Sequence, residues 1–391
     1  MTLAPKRITA TAIARPKECI VPRHLCPRPK PEAATPTLPA SAEREGEGLG
    51  IILARPVLPR EIIGKGLRFS LRHAPCAHIC RYCLISESRK RSALPFARFE
   101  QLVHRFHDWR LSERPDLDIG VFVGPSFDYD IETLKGVARL RERRGGKFQM
   151  VNLGGLRIRR GDELIAWIEE RRQVGIVGFH TSLAGYGETH DRWNGRAGDF
   201  DYQSAILRFG GERGMVRQEK LFLTKNTLPL FDRLLDILDG IPGEVRGRGA
   251  SPFFYAGLAS RYEDERLTED DRDALPDRIN ELRGGKFGNR LSEREWIPVM
   301  LETADKPRRL QLKLDVNEAN IDELERQSCE EVFLAREREY QDSYRHISAL
   351  DELAARYGDM TNRRVYMMSR DVEGRWLDLH RRETGAALPV D

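Results

Sequence analysis

The chain has 391 residues, 40% hydrophobic and 32% charged, which is enough apolar material for one large or two ordinary domains with a substantial core. Its 65 Lys and Arg are interleaved with 61 Asp and Glu, for a net charge of +4, so charge alone does not mark a nucleic-acid binder. No apolar run reaches the length of a membrane span and no signal-peptide apolar region opens the chain, so the sequence predicts a soluble, cytoplasmic protein, a compartment that suits clustered, reduced cysteines.

Residues 1–66 are rich in Pro, Ala, Arg and Glu, as in CPRPKPEAATPTLPASAEREGEG. Such a segment buries too little apolar surface to offset its ordering entropy and reads as a partly flexible extension. Cys19 and Cys26 lie in it, too few for a second cluster.

The first strand candidate, LRFSL, leads into CAHICRYC, which places Cys76, Cys80 and Cys83 at Cys-x3-Cys-x2-Cys spacing and uses three of six cysteines. Six cysteines scattered at random would give this triplet roughly once in a thousand such chains. Three thiolates on one short loop suit three corners of a [4Fe-4S] cluster and leave the fourth iron without a protein ligand. The competing reading is a Cys3His zinc site completed by His73 or His78, which would close the coordination shell and only fold a loop. It would make the protein a non-catalytic zinc-stabilised binding module.

Further along, DIGVFVG follows the helix-like FARFEQLVHRFHDW, and FQMVNLGG follows DIETLKGVARLRERR. GIVGFHTSL, KLFLTKN and SPFFYAG complete six strand candidates, with helix candidates ELIAWIEERR, YQSAILRFG, LPLFDRLLDIL and TEDDRDALPDRINELR. Strands alternating with helices predict an α/β fold with a parallel sheet. Periodicity does not separate a closed barrel from an open sheet. In either, ligand-binding groups gather after the C-terminal ends of strands, where the cysteine triplet falls.

The triplet, with Tyr82 before its last cysteine, resembles the signature of the radical S-adenosylmethionine (radical SAM) enzymes. HTSLAGYGETHDRWNGRAGDFDYQSAIL resembles the fourth-strand region of members that modify peptides, with Ser182, Leu183, Gly185, His190, Asp191, Gly198 and Phe200 matching. LFLTKNTLPLFDRLLDIL is similar to the family's fifth strand and helix, with Thr224 and Asn226 at the turn. The resemblance covers roughly residues 67–260. It implies a partial (β/α)6 TIM-like barrel over 67–300, flanked by the N-terminal extension and by a mainly helical C-terminal extension, 301–391, packing on the barrel. It further implies one [4Fe-4S] cluster on Cys76, Cys80 and Cys83, with S-adenosylmethionine (SAM) at the open iron. One electron would then cleave SAM to a 5'-deoxyadenosyl radical that takes hydrogen from an unactivated carbon.

The same resemblance implies roles residue by residue. Arg72 and Arg81 would favour the cluster's charge, and Tyr82 would pack on the adenine or the cluster. Ser182 would meet the SAM carboxylate or ribose, and Asn152, before Gly154 and Gly155, the ribose. Relatives place an arginine where this chain has Asn194, so Arg192 or Arg196 must substitute. Gly-Gly-Glu after the second strand is replaced by Gly124-Pro125-Ser126, with Asp128 and Asp130 beyond, leaving backbone carbonyls to accept from the SAM ammonium. Ala184 replaces an aspartate. His190 and Asp191 read as braces of the following loop, and His180 as a half-buried strand residue. No catalytic proton donor or acceptor is assigned.

The basic stretch Arg139 to Arg160, with Arg246 and Arg248, reads either as solvated helix faces or as attraction for an anionic substrate. Beyond residue 301, RLQLKLDV precedes a charged helical region, IDELERQSCEEVFLAREREYQDSYRHISALDELAARYG. That region packs on the barrel or covers its mouth. Only Cys329 remains after Cys83, so no auxiliary cluster is expected. The expected substrate is a peptide or small polar molecule, with RNA or a nucleotide as the alternative. The expected electron source is an external flavodoxin- or ferredoxin-like reductant.

Overall fold

The structure is a computed structural model that describes residues 62–84, 91–282, 290–304, 308–344 and 349–385. Residues 1–61 of the expected N-terminal extension, with Cys19 and Cys26, lie outside the described residues, and 62–66 belong to the first strand. Six parallel strands alternate with helices: β1 (Ile62–Ala74), α1 (Phe96–Ser112), β2 (Asp118–Pro125), α2 (Ile131–Arg143), β3 (Met150–Asn152), α3 (Gly161–Gln173), β4 (Gly178–Leu183), α4 (Gly187–Asn194), α5 (Asp199–Gly211), β5 (Val216–Phe222), α6 (Phe231–Asp239) and β6 (Val245–Ser251). Short helices α7 (Glu269–Asp273) and α8 (Asp277–Asn280) follow, then β7 (Leu291–Ser292), α9 (Glu293–Glu302), β8 (Arg308–Val316), α10 (Ile321–Arg326), α11 (Cys329–Tyr344), α12 (Leu350–Tyr357), β9 (Val365–Tyr366) and α13 (Ser369–Thr384).

The parallel strands form two sheets, ordered β2-β1-β8 and β3-β4-β5-β6. This is the expected α/β class, with helices covering the sheets, although β2 and β3 share no ladder. On β1, Leu67, Phe69 and Leu71 alternate as fully buried residues, and the Phe69 ring meets Phe106 of α1 at 4.7 Å. Burying each such side chain stabilises the fold by about 1.5–3 kcal/mol. Leu134, Val137 and Leu140 of α2 and Leu234, Leu235 and Leu238 of α6 extend the same core at helical spacing. A second core lies at the C-terminal side, where Trp296, Met300, Leu353, Tyr366 and Trp376 pack together.

Three expected elements take a different form. The sixth strand is VRGRGAS, not SPFFYAG, which begins as β6 ends. Arg248 of β6 reaches Glu219 of β5 and Asp239 of α6, so an ionic contact stands where an apolar alternation would have shown the strand. TEDDRDALPDRINELR is two short helices, α7 and α8, because Pro276 precedes the second and disfavours helix at Leu275. The segment RLQLKLDV lies in β8, which pairs in parallel with β1 over Ile62 to Leu71. The chain beyond residue 301 therefore contributes a strand as well as helices.

Cys329 opens α11 and is part of the main core. No helix among the described residues is long and apolar enough to cross a membrane.

His107 of α1 is buried with neither ring nitrogen hydrogen-bonded. Burial, then Arg143 and Arg110, depress its pKa from 6.5 to about 4. The unfolded chain therefore binds this proton more readily, and the native state loses stability as pH falls from 6.5 through 4. Thermal unfolding of His107→Leu should be less sensitive to pH across that window than wild type. Parallel curves would refute the assignment.

Candidate active site

The cysteine loop leaves β1 at Ala74 and is zipped to three other parts of the fold by backbone hydrogen bonds. Ala77 N–H donates to Gly155 O after β3 (2.9 Å), Ile79 N–H and Arg81 N–H donate to Asn194 O and Trp193 O of α4 (3.0 and 2.8 Å), and Cys83 O accepts from Leu258 N–H beyond β6 (2.9 Å). The loop thus sits where the C-terminal ends of β1, β3, β4 and β6 converge, as the sequence pattern predicts. Two glycines make the approach feasible. Gly155 has φ +78°, and a Cβ there would come within 2.4 Å of Cys76 Sγ; Gly195 has φ +64°, and a Cβ there would come within 2.4 Å of Ile79 O. Any larger residue would be both strained and in the way.

Beneath the loop lies a fully buried polar network. His78, between the first two cysteines, donates from Nε2 to Asp199 Oδ1 (3.0 Å) and accepts at Nδ1 from Gly155 N–H (3.2 Å). These partners assign its tautomer. Its Nδ1 lies 3.7 Å from Cys80 Sγ. The other Asp199 oxygen accepts from His190 Nε2 (2.9 Å), Asn194 Nδ2 (2.5 Å) and Gln203 Nε2 (2.9 Å), while Arg196 adds a further contact to Oδ1. Burial alone would raise the Asp199 pKa. Hydrogen bonds from His190 and His78 outweigh it and hold the carboxyl well below the usual range. Burial lowers the His78 pKa against the pull of Asp199.

The thiols themselves crowd one another. Burial first, then Cys76 and Cys83, raise the Cys80 pKa. Burial also raises that of Cys76, against a hydrogen bond from the His78 backbone, and Cys83 adds to the rise. Thiols held against ionisation in this way need a cationic group to draw off their protons, and an iron-sulfur group would supply that charge. The donor set therefore fits a cluster. Among the described residues no group of three or more His, Cys, Asp or Glu side chains gathers where one metal ion would sit. His73, the other zinc candidate, is hydrogen-bonded to Thr133 of α2 (3.2 Å).

The remaining expected site residues divide by what they touch. Tyr82 donates to Asn194 Oδ1 and stacks on Phe253 at 4.7 Å beside Phe222 and Trp193, so its ring is built into an aromatic cluster under the loop. Ser126 is buried and donates to Gly155 O (2.9 Å). Asn152 turns back to accept from Gly154 N–H (2.8 Å). Arg196 is held by Asp199 and Leu156 O. Gly124 lies against the Phe122 ring at the end of β2. Ser182 is half-buried on β4 and Arg192 is exposed on α4; neither side chain has a hydrogen bond to another described residue.

Asp191 accepts from Gly198 N–H (2.6 Å) and Phe200 N–H (2.9 Å), and His190 accepts at Nδ1 from Ala184 N–H (3.2 Å). Both brace the turn into α5, as expected. Asp128 pairs with Arg159 (2.6 Å) and Asp130 caps α2 through Thr133 N–H (2.7 Å). Thr224 exchanges hydrogen bonds with Thr227, and Asn226 contacts Glu265. In the basic stretch, Arg139 meets Glu100 (2.8 Å), Arg144 meets Asp118 (2.9 Å), and Arg143 contacts Asp108. Asp199 was not among the expected site residues; it occupies the open position of Gly198-Asp199-Phe200.

No protein-family model matches the chain, and no curated protein matches it. Among solved structures, it is similar to Streptococcus suis SuiB bound to the precursor peptide SuiA, with 12% identity, a TM-score of 0.37, and coverage of 65% of this chain and 49% of that one. SuiB bound to S-adenosylmethionine gives 12% identity and a TM-score of 0.34, covering 50% and 41%. Coproporphyrinogen III oxidase (HemN) from Escherichia coli, a radical SAM enzyme, gives 16% identity and a TM-score of 0.32, covering 63% and 54%. The chain spans about half the length of these structures.

Replacing Asp199 by Ala should lower the free energy of unfolding by about 3 kcal/mol or more, because Arg196 and two histidines lose a buried partner. Urea denaturation measures this, and a loss under about 1 kcal/mol would show that the network does not hold the loop.

Proposed function

We propose that the chain is a radical SAM enzyme in which Cys76, Cys80 and Cys83 hold one [4Fe-4S] cluster and SAM occupies the remaining iron. The observation that carries this reading is the placement of three cysteines on one glycine-cradled loop, where the C-terminal ends of parallel strands converge. When bound and reduced, the cluster supplies the electron that cleaves SAM to methionine and a 5'-deoxyadenosyl radical able to take hydrogen from an unactivated carbon.

The protein's own part is positioning. His78 and Asp199 hold the loop from below, Tyr82 anchors its far end in the aromatic cluster, and Ser126 and Asn152 order the backbone around Gly155. Arg196 belongs to this scaffold, which leaves Arg192 and the Ser182 hydroxyl as the side chains available to SAM, with backbone groups near Gly124. The expected substrate is a peptide or a small polar molecule, and an external one-electron donor of the cytoplasm reduces the cluster. Pairing of Arg139, Arg143, Arg144 and Arg159 with Glu100, Asp108, Asp118 and Asp128 supports reading these members of the basic stretch as packing residues, and so favours a peptide or small polar substrate over RNA.

After anaerobic reconstitution with iron and sulfide, wild type given SAM and dithionite should release 5'-deoxyadenosine. Cys83→Ala should lose this activity by about 100-fold or more. Stoichiometric zinc without acid-labile sulfide would sink the proposal. Gly155→Ala should bind markedly less iron and sulfide than wild type, because its Cβ displaces Cys76; full loading would show that the loop relaxes around the added methyl group.

A further inference from the structure

The cysteine loop has an outer side as well as the side held by Asp199. From Pro75 to Tyr82 its residues alternate: Pro75, Ala77, Ile79 and Arg81 are exposed, while Cys76, His78, Cys80 and Tyr82 are buried or half-buried. Leu84, just past the last cysteine, is exposed again. Ile79 keeps 55% and Leu84 49% of their surface open to water. Apart from Arg81, every exposed residue from Pro75 to Leu84 is apolar, and none is acidic. One such side chain on a surface is ordinary; a run of them along one short loop marks a face that another molecule covers.

The loop's own geometry gathers this face. Cys83 N–H donates to Cys80 O (3.2 Å), which closes the tight turn Cys80-Arg81-Tyr82-Cys83 and leaves Ile79 and Leu84 flanking it. Of the two central residues, Tyr82 stacks inward on Phe253 and Arg81 remains at the exposed tip. A 3-10 turn, Gly257–Arg261, lies against the same place. Its Leu258 N–H donates to Cys83 O (2.9 Å), a Cβ on Gly257 would come within 3.0 Å of the Leu84 Cα, and its last residue, Arg261, is exposed.

The cations here are not offset. Among the described residues neither Arg81 nor Arg261 has an ion pair. The acids that follow Arg261 are engaged elsewhere, Glu263 by Arg266 (2.7 Å), Asp264 by Arg364 (3.0 Å) and Glu265 by Asn226. The face is therefore apolar with a positive edge, and its complement is acidic. Its apolar area is small, since Ile79 and Leu84 are joined only by Pro75 and Ala77, which suits a transient partner rather than a permanent subunit. Whatever covers Ile79 and Leu84 also lies within one residue of Cys80 and Cys83. Electron carriers make contacts of this kind, small, short-lived and guided by complementary charge.

We propose that Ile79, Leu84, Arg81 and Arg261 form the docking surface of a small acidic one-electron carrier protein that delivers its electron across the cysteine loop. The role rests on the enzyme reading above. One electron leaves the carrier, which is oxidised, and arrives on the cluster, which is reduced; no bond forms or breaks.

The experiment uses the full chain, reconstituted anaerobically, with reduced flavodoxin as the protein donor and dithionite as the small one. Loss of the cluster's visible absorbance reports reduction, and biolayer interferometry on immobilised flavodoxin reports binding. In low salt, Leu84→Asp and Arg261→Glu should each slow reduction by flavodoxin by roughly fivefold or more and weaken its binding. Both should match wild type with dithionite. Raising the salt should weaken wild-type binding to flavodoxin. Arg261→Glu lies outside the loop, so it keeps the test intact where Leu84→Asp fails to load iron and sulfide. Equal rates with flavodoxin in wild type and variants overturn the proposal, as does an equal slowing with both donors or a wild-type cluster that dithionite reduces and flavodoxin does not. Salt-sensitive binding of flavodoxin, weakened by Arg261→Glu, to a chain that loads no cluster would uphold the surface and refute the enzyme reading, so the two fail separately.

Discussion

A carboxylate removed from water costs several kcal/mol unless its oxygens are filled, and Asp199 is filled from three directions. His78 comes from the cysteine loop, His190 and Asn194 from α4, and Gln203 from its own helix α5. One buried charge therefore sets the height of the loop above the strand ends and ties α4, which receives the loop's backbone, to α5. Arg196 offsets the charge locally, so the network stabilises geometry without leaving a large net field. The cysteines can be crowded only because the backbone that carries them is held from below.

The same loop also bridges a break in the fold. β2 and β3 share no ladder, yet Gly155 O, just beyond β3, accepts from both Ala77 N–H of the loop and the Ser126 hydroxyl beyond β2. Ser126 N–H in turn donates to Ala74 O at the end of β1 (3.2 Å). At the C-terminal end, hydrogen bonds through the cysteine loop thus take the place of a strand ladder between the two sheets. Structure that is tied by one loop responds to whatever that loop binds, because ligand binding to the folded state adds directly to its stability.

Much of this arrangement was legible in the sequence because it depends on local pattern. The alternation of apolar strands and amphipathic helices gave the α/β class, and the cysteine spacing located the loop at a strand end. What escaped was carried by residues whose role exists only across the fold. β6 reads as Arg and Gly because its outward partner is Glu219 and not an apolar helix face. β8 lies some 240 residues from β1 along the chain, a pairing that periodicity does not register. Asp199 looks like an ordinary helix-start acid until His78 is brought to it from 121 residues away. Arg196 looks like a ligand fork, but its guanidinium is already engaged by that same carboxylate.

Where the cations end up follows from this division. Arginines on outer faces and helix surfaces, such as Arg139, Arg144 and Arg248, meet acids from neighbouring elements, so a dense run of basic letters there reports packing. On the inner face the strands present His180, Ser182 and Lys220, next to β6 positions occupied by glycine. The nearby acid, Asp371, is turned into the start of α13. A barrel filled for stability would set branched apolar side chains in these places. His180, Ser182 and Lys220 instead make the inner face under the cysteine loop polar. The C-terminal segment completes that place by bringing Arg370 over Phe254.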